Sequence, residues 1–173
     1  MTRRSALVAL VAALAAVPAA AAVAYAGPPY VSIELPANPF DRASRGAFLL
    51  VHAFHHGEEM AFPVAGTAEG IVDGQRRTVQ LQFEKTSRQG VYALRKQWAD
   101  EGTWTLVISV TQGPSAGNTA TALVEIGENG MVAVRVPTQR NREGWDIPKQ
   151  VTSAEVDAAL RARVAKLAVA KGK

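Results

Sequence analysis

Between Tyr30 and Val136 the chain alternates apolar and polar residues with a period of two, and it punctuates each alternating segment with turn formers. That period puts successive side chains on opposite faces of an extended strand, so the pattern calls for sheets with a buried face rather than a helical domain. Val31, Ile33 and Leu35 alternate with Ser32 and Glu34. Val79, Leu81 and Phe83 alternate with Thr78, Gln80, Gln82 and Glu84, and Trp104, Leu106, Ile108 and Val110 with Thr103, Thr105 and Ser109. Gly46 to Phe54 is apolar on both parities, which predicts a strand covered on both sides. Val64 to Val72 carries small residues and two glycines, predicting a weak strand with a bulge at Gly66 or Gly70. Asp73-Gly74 marks a tight hairpin. About eight strands spaced by turns at roughly 8–12 residues read as an all-β antiparallel sandwich or barrel.

The two ends of the chain differ from this pattern. Arg3 and Arg4 precede an uncharged apolar run from Ala6 to Val17, Pro18 breaks it, and Ala24-Tyr25-Ala26 supplies a small-residue cleavage site. Residues 1–26 therefore read as a secretory signal peptide cut before Gly27, with an uncleaved anchor as the rival. The expected location is the periplasm or cell surface of a bacterium. The chain has no cysteine, so an exported domain here is held by its core without disulfides. Removing the leader leaves 147 residues, enough for one self-supporting domain, and lowers the formal charge from +4 to +2. With no dense basic block, nucleic acid is not an expected partner. At the other end, Thr152 and Glu155 form a capping-box pattern, and Val156, Leu160, Val164 and Leu167 come next at helical spacing. The expected plan is a signal peptide over 1–26, a sandwich over 27–137, a linker over 138–151 and a basic amphipathic helix over 152–173, able to touch an anionic membrane surface weakly.

The segment GVYALRKQWADEGTWTLVISV, Gly90 to Val110, resembles the YtkA-like domains, small secreted modules of immunoglobulin-like fold. The matching positions are Gly90, Tyr92, Gly102, Trp104, Leu106 and, one step later than usual, Ile108. Upstream, Pro63-Val64-Ala65-Gly66 stands where that family has a Pro-Val-x-Gly pattern. The resemblance covers about residues 47–112. It implies an immunoglobulin-like sandwich of about seven to eight strands, with Tyr92 and Trp104 as core anchors. It does not select an activity.

Candidate chemistry centres on VHAFHHGEEM, which holds every histidine of the chain. His52, His55, His56 and Met60 offer imidazole and thioether donors, a set suited to copper. On a strand, however, His52 and His56 share a face while His55 points the other way, so a polar turn is the competing reading. The G-x-S-x-G pattern at Gly113 to Gly117 is set aside as a nucleophile elbow. The residues after Gly117 read as a strand, where an elbow needs a helix, and no histidine lies C-terminal to Ser115. Glu58-Glu59 and Asp100-Glu101 sit at turns, where carboxylates stay solvated. Gln75-Arg76-Arg77 reads as a charged strand edge. Trp98 is expected to be partly buried, and Trp145 to staple the tail to the sandwich, with a partner surface as its second reading. Two functions emerge as expectations. One is a non-enzymatic exported module, without a cofactor, that binds or scaffolds an envelope protein through edge strands and the C-terminal helix. The other is a periplasmic copper-binding protein using the histidine cluster.

Overall fold

The structure is a computed structural model describing residues 27–171 except 36, 37, 39, 43, 115–117, 128 and 129. The expected signal peptide over 1–26, with its expected cleavage site, and Ser115 lie outside the described residues. In chain order the strands are β1 (Tyr30–Glu34), β2 (Leu49–His55), β3 (Glu58–Glu59), β4 (Val64–Val72), β5 (Gln75–Gln80), β6 (Phe83–Lys85), β7 (Val91–Leu94), β8 (Thr103–Thr111), β9 (Thr119–Gly127), β10 (Gly130–Arg135), β11 (Thr138–Arg140) and β12 (Asp146–Pro148). One helix, α1 (Ser153–Lys171), comes last.

Two antiparallel sheets face each other. The first runs β1-β2-β7-β6, with β3 added to the end of β2, and the second runs β10-β9-β8-β4-β5. The chain crosses from the second sheet to the first between β5 and β6, where Leu81 turns inward. This strand order is that of an immunoglobulin sandwich, with β1, β2, β7 and β6 as one sheet and β9, β8, β4 and β5 as the other.

The core follows from the alternation. Leu49, Val51 and Ala53 of β2 and Tyr92 and Leu94 of β7 meet Trp104, Leu106, Ile108 and Val110 of β8 and Ala120, Ala122 and Val124 of β9. The Tyr92 hydroxyl donates to the Phe62 carbonyl at 2.6 Å, so its buried polar end is satisfied. The Trp104 indole Nε1 donates to the Glu101 carbonyl at 2.7 Å. Both motif aromatics are core residues, as expected. The glycines of β4 have a different purpose from the one expected. Register along β4 is continuous against β8 from Val64 to Ile71 and against β5 from Thr67 to Val72, with no bulge at Gly66 or Gly70. Instead Gly70 lies opposite Trp104, and a Cβ there would sit 2.5–2.8 Å from the indole carbons. The missing side chain is the space the tryptophan occupies.

Two tight hairpins set the register at opposite ends. Asp73 and Gly74 both have positive φ, and Val72 pairs with Gln75 across them. His56 and Gly57 do the same, with His55 opposite Glu58. Two successive left-handed residues make the turn whose twist matches a β-hairpin.

The segment expected as a linker, 138–151, contains the β11–β12 hairpin, with Thr138 opposite Pro148. The Asn141 side chain closes its turn by accepting from the backbone of Glu143 and Trp145. Thr152 and Glu155 then form the expected reciprocal cap. Thr152 N donates to Glu155 Oε2 at 2.9 Å, and Glu155 N to Thr152 Oγ1 at 3.3 Å. The helix docks on the outer face of the second sheet, where Val156 and Leu160 bury themselves on Leu123, Val107 and Val151. Arg163, rather than Val164, completes the buried stripe, and Leu167 and Val169 are exposed.

Candidate functional site

The strand geometry separates the histidines. Leu49, Val51, Ala53 and His55 lie on one face of β2, and Leu50, His52 and Phe54 on the other. His52 stacks on Phe54 with ring centroids 5.8 Å apart. Its Nδ1 is 2.7 Å from Glu59 Oε1, and its Nε2 is 2.9 Å from Glu34 Oε2, which also takes Arg88. Both ring nitrogens thus face carboxylates, and His52 bridges Glu34 and Glu59 on the outer face of β2, away from His55.

His55 is buried at the end of β2 and meets His56 edge-on at 4.2 Å and Phe62 at 6.2 Å between ring centroids. Burial lowers its pKa, and the neighbouring His56 lowers it further. His56 is exposed in the turn, and Met60 is partly buried against the main core. The four residues therefore do not fit around one ion. Among the described residues no group of three or more His, Asp or Glu side chains is placed to hold a metal.

The histidine pair instead faces a small cleft. About 260 Å³ in volume, it lies between the start of β1, the His56 turn and the β11–β12 hairpin. Tyr30 and Trp145 flank it at 48% and 69% exposure, with Asn141 and Asp146 as polar neighbours. Trp145 does not staple the tail. The hairpin lifts it into solvent, and the tail is tied instead by α1 and by Val151 N donating to Thr121 Oγ1. Gly27 and Pro28 also line the cleft.

The chain matches no family model, no curated protein and no solved structure.

The other expected positions resolve into structural duties. Trp98 is buried to 5% exposure, beyond the partial burial expected, and packs edge-to-face on Phe48. Arg76 is more than an edge charge. It binds Glu69 at 2.9 Å and also pairs with Asp157, tying the sheet to the helix. Burial alone would raise the pKa of Glu69, but hydrogen bonds from Thr67, Thr78 and Arg76 outweigh it and hold the carboxyl low. Among the described residues no helix is long and apolar enough to cross a membrane. Two contributors carry their signal in the period alone. Tyr30 shares the parity of Ser32 and Glu34, opposite to Val31 and Ile33, and so faces outward. Arg163 falls at the spacing of Val156 and Leu160 and is buried with them.

Proposed function

We propose that this protein is a non-enzymatic exported module that binds a protein partner at the bacterial envelope, through the end of the sandwich that carries Tyr30, His56 and Trp145. The observation that carries this reading is the exposure of Trp145 and Tyr30 on either side of a cleft, in a place where neither contributes to the core. Exposed tryptophan and tyrosine beside a concave polar surface are what interface hot spots are made of. The contact surface moves from the expected helix to this cleft because the first half of α1 is already used against the second sheet. The leader reading adds to this. Cleavage before Gly27 would place a new α-amino group at the rim of the cleft, since Gly27 lines it.

The test is in-cell photocrosslinking from a photoreactive residue installed at Asp146, which lines the cleft and is exposed. One discrete adduct is expected. Trp145→Ala and Tyr30→Ala should each weaken its formation by about 2 kcal/mol or more, while leaving the melting temperature unchanged. An adduct pattern indifferent to both substitutions would remove the cleft from the interface. N-terminal sequencing of the protein from the envelope fraction should begin at Gly27. An intact Met1 in the envelope fraction would replace cleavage with the uncleaved anchor, and recovery only in the cytoplasm would end the export reading.

A further inference from the structure

A second, larger concavity lies at the opposite end of the sandwich. A groove of about 740 Å³ opens between the β7–β8 connection, the end of β9 and the second half of α1. Such a volume falls in the range of about 300–1,000 Å³ that encloses a small organic molecule. One wall is aromatic. Phe48 and Trp98 meet edge-to-face with centroids 5.0 Å apart, Trp104 stands beside them, and the partly exposed Leu167 closes the helix side.

The polar groups of the groove do not balance. Lys96 pairs with Asp100, and Arg163 Nη1 lies 3.6 Å from Glu125 Oε2. Lys166 has no acidic partner within salt-bridge distance among the described residues, which leaves one cation in surplus. Arg163 itself is only 8% exposed. Its Nη2 donates to the Ile126 carbonyl, whereas Nη1, shut off from solvent, makes no hydrogen bond among the described residues. Glu125 compensates the charge of Nη1 at 3.6 Å without a hydrogen bond, so the bonding capacity of that buried donor is not fully used. Burial lowers the Arg163 pKa, and Glu125 opposes that shift.

We propose that this groove binds an amphiphilic anion, a molecule with a carboxylate or similar head group on an aliphatic or aromatic body. The body lies against Phe48, Trp98, Trp104 and Leu167, and the head group is held by Lys166 with Arg163 behind it. A cation with the same body meets the same wall and the wrong charge. The site is separate from the cleft at the Trp145 end, so either can fail alone.

The experiment uses purified protein carrying Trp145→Phe, so that indole fluorescence reports on Trp98 and Trp104. The probes are dodecanoate, kept below the concentration at which it forms micelles, and dodecyltrimethylammonium, which has the same chain and the opposite charge. Saturable one-to-one quenching by dodecanoate is expected, with the cation at least about tenfold weaker and Lys166→Glu weakening dodecanoate by a similar factor. Lys166 is exposed on the helix, and an unchanged circular dichroism spectrum of that variant confirms that it folds. Absence of saturable binding, equal binding of both probes, or undiminished binding of dodecanoate by Lys166→Glu would each overturn the proposal.

Discussion

The second sheet covers its outer face with a helix, whereas the first covers its own with charged side chains. On the second sheet, Thr105 and Thr121 are 1% exposed and Leu123 is 3% exposed beneath Val156 and Leu160, so the cover is a second small apolar core. On the first sheet, Leu50, Val91 and Ala93 form a compact outward cluster. Beside it, Glu34, His52, Glu59 and Arg88 share hydrogen bonds, and Arg95 pairs with Glu84. One cover rests chiefly on burial of apolar surface, which salt does not screen, with the Arg76–Asp157 and Arg163–Glu125 pairs beside it. The other rests on ion pairs, which are weak individually and screened by salt. The two faces should therefore respond differently to truncation, ionic strength and acid.

The largest effect lies beneath both covers. Trp104→Ala removes an indole that is only 3% exposed and should cost about 3–5 kcal/mol in chemical denaturation. Sheet and helix signals should be lost together in that variant. Separate transitions would show that α1 is not part of the same cooperative unit. Leu160→Ala comes next. Its side chain is completely buried in the small outer core, and truncation should cost about 2–5 kcal/mol. A loss below about 1 kcal/mol would mean that the helix contributes little to holding the sandwich. On the first sheet, His52→Ala leaves Glu34 and Glu59 near one another without the ring between them. The expected loss is smaller, about 1–2 kcal/mol, and should shrink in high salt. A loss unmoved by salt would place the effect in the Phe54 stacking instead.

The alternation of Trp104 to Val110 settles its own inward face, and the apolar double parity of Gly46 to Phe54 announces a strand covered on both sides. Both are local patterns that a burial period writes into the sequence. The β4 glycines suggest a bulge, because nothing local reveals that Trp104, thirty-four residues on, fills the space opposite Gly70. Trp145 suggests burial, because aromatic residues are usually buried. Its exposure depends on the short pairing of Thr138–Arg140 with Asp146–Pro148, which carries no alternating signature. The histidine cluster shows the limit most clearly. Spacing brings His52, His55 and His56 together in sequence, but the pleat sends His52 to the charged outer layer and His55 toward the core. Only the His55–His56 pair remains, at the edge of a cleft whose other wall comes from residues 141–147.

Acid separates the two regions in the finest detail. His55, at the end of the first sheet, has its pKa lowered from 6.5, so folding favours its neutral form. Its contribution is complete above about pH 6.5 and is lost as pH falls through the lower, folded value. The helix cap titrates in a different window. Lys149, then the backbone and hydroxyl of Thr152, hold the Glu155 pKa at about 2, below its ordinary 4.5. Folding therefore favours the carboxylate, and the contribution is present above about pH 4.5 and lost as pH falls toward 2. Glu69, also held low and bound to the Arg76 that reaches Asp157, moves in the same direction. A melting-temperature profile should thus fall modestly below pH 6.5 with helical circular dichroism intact, and fall again below pH 4.5 as the helical signal fades. His55→Phe should erase the first step and Glu155→Gln should reduce the second. A single step removed by neither substitution would show that the His55 end of the first sheet and the helix cap do not titrate independently, and that the acid response belongs to the molecule's charge as a whole.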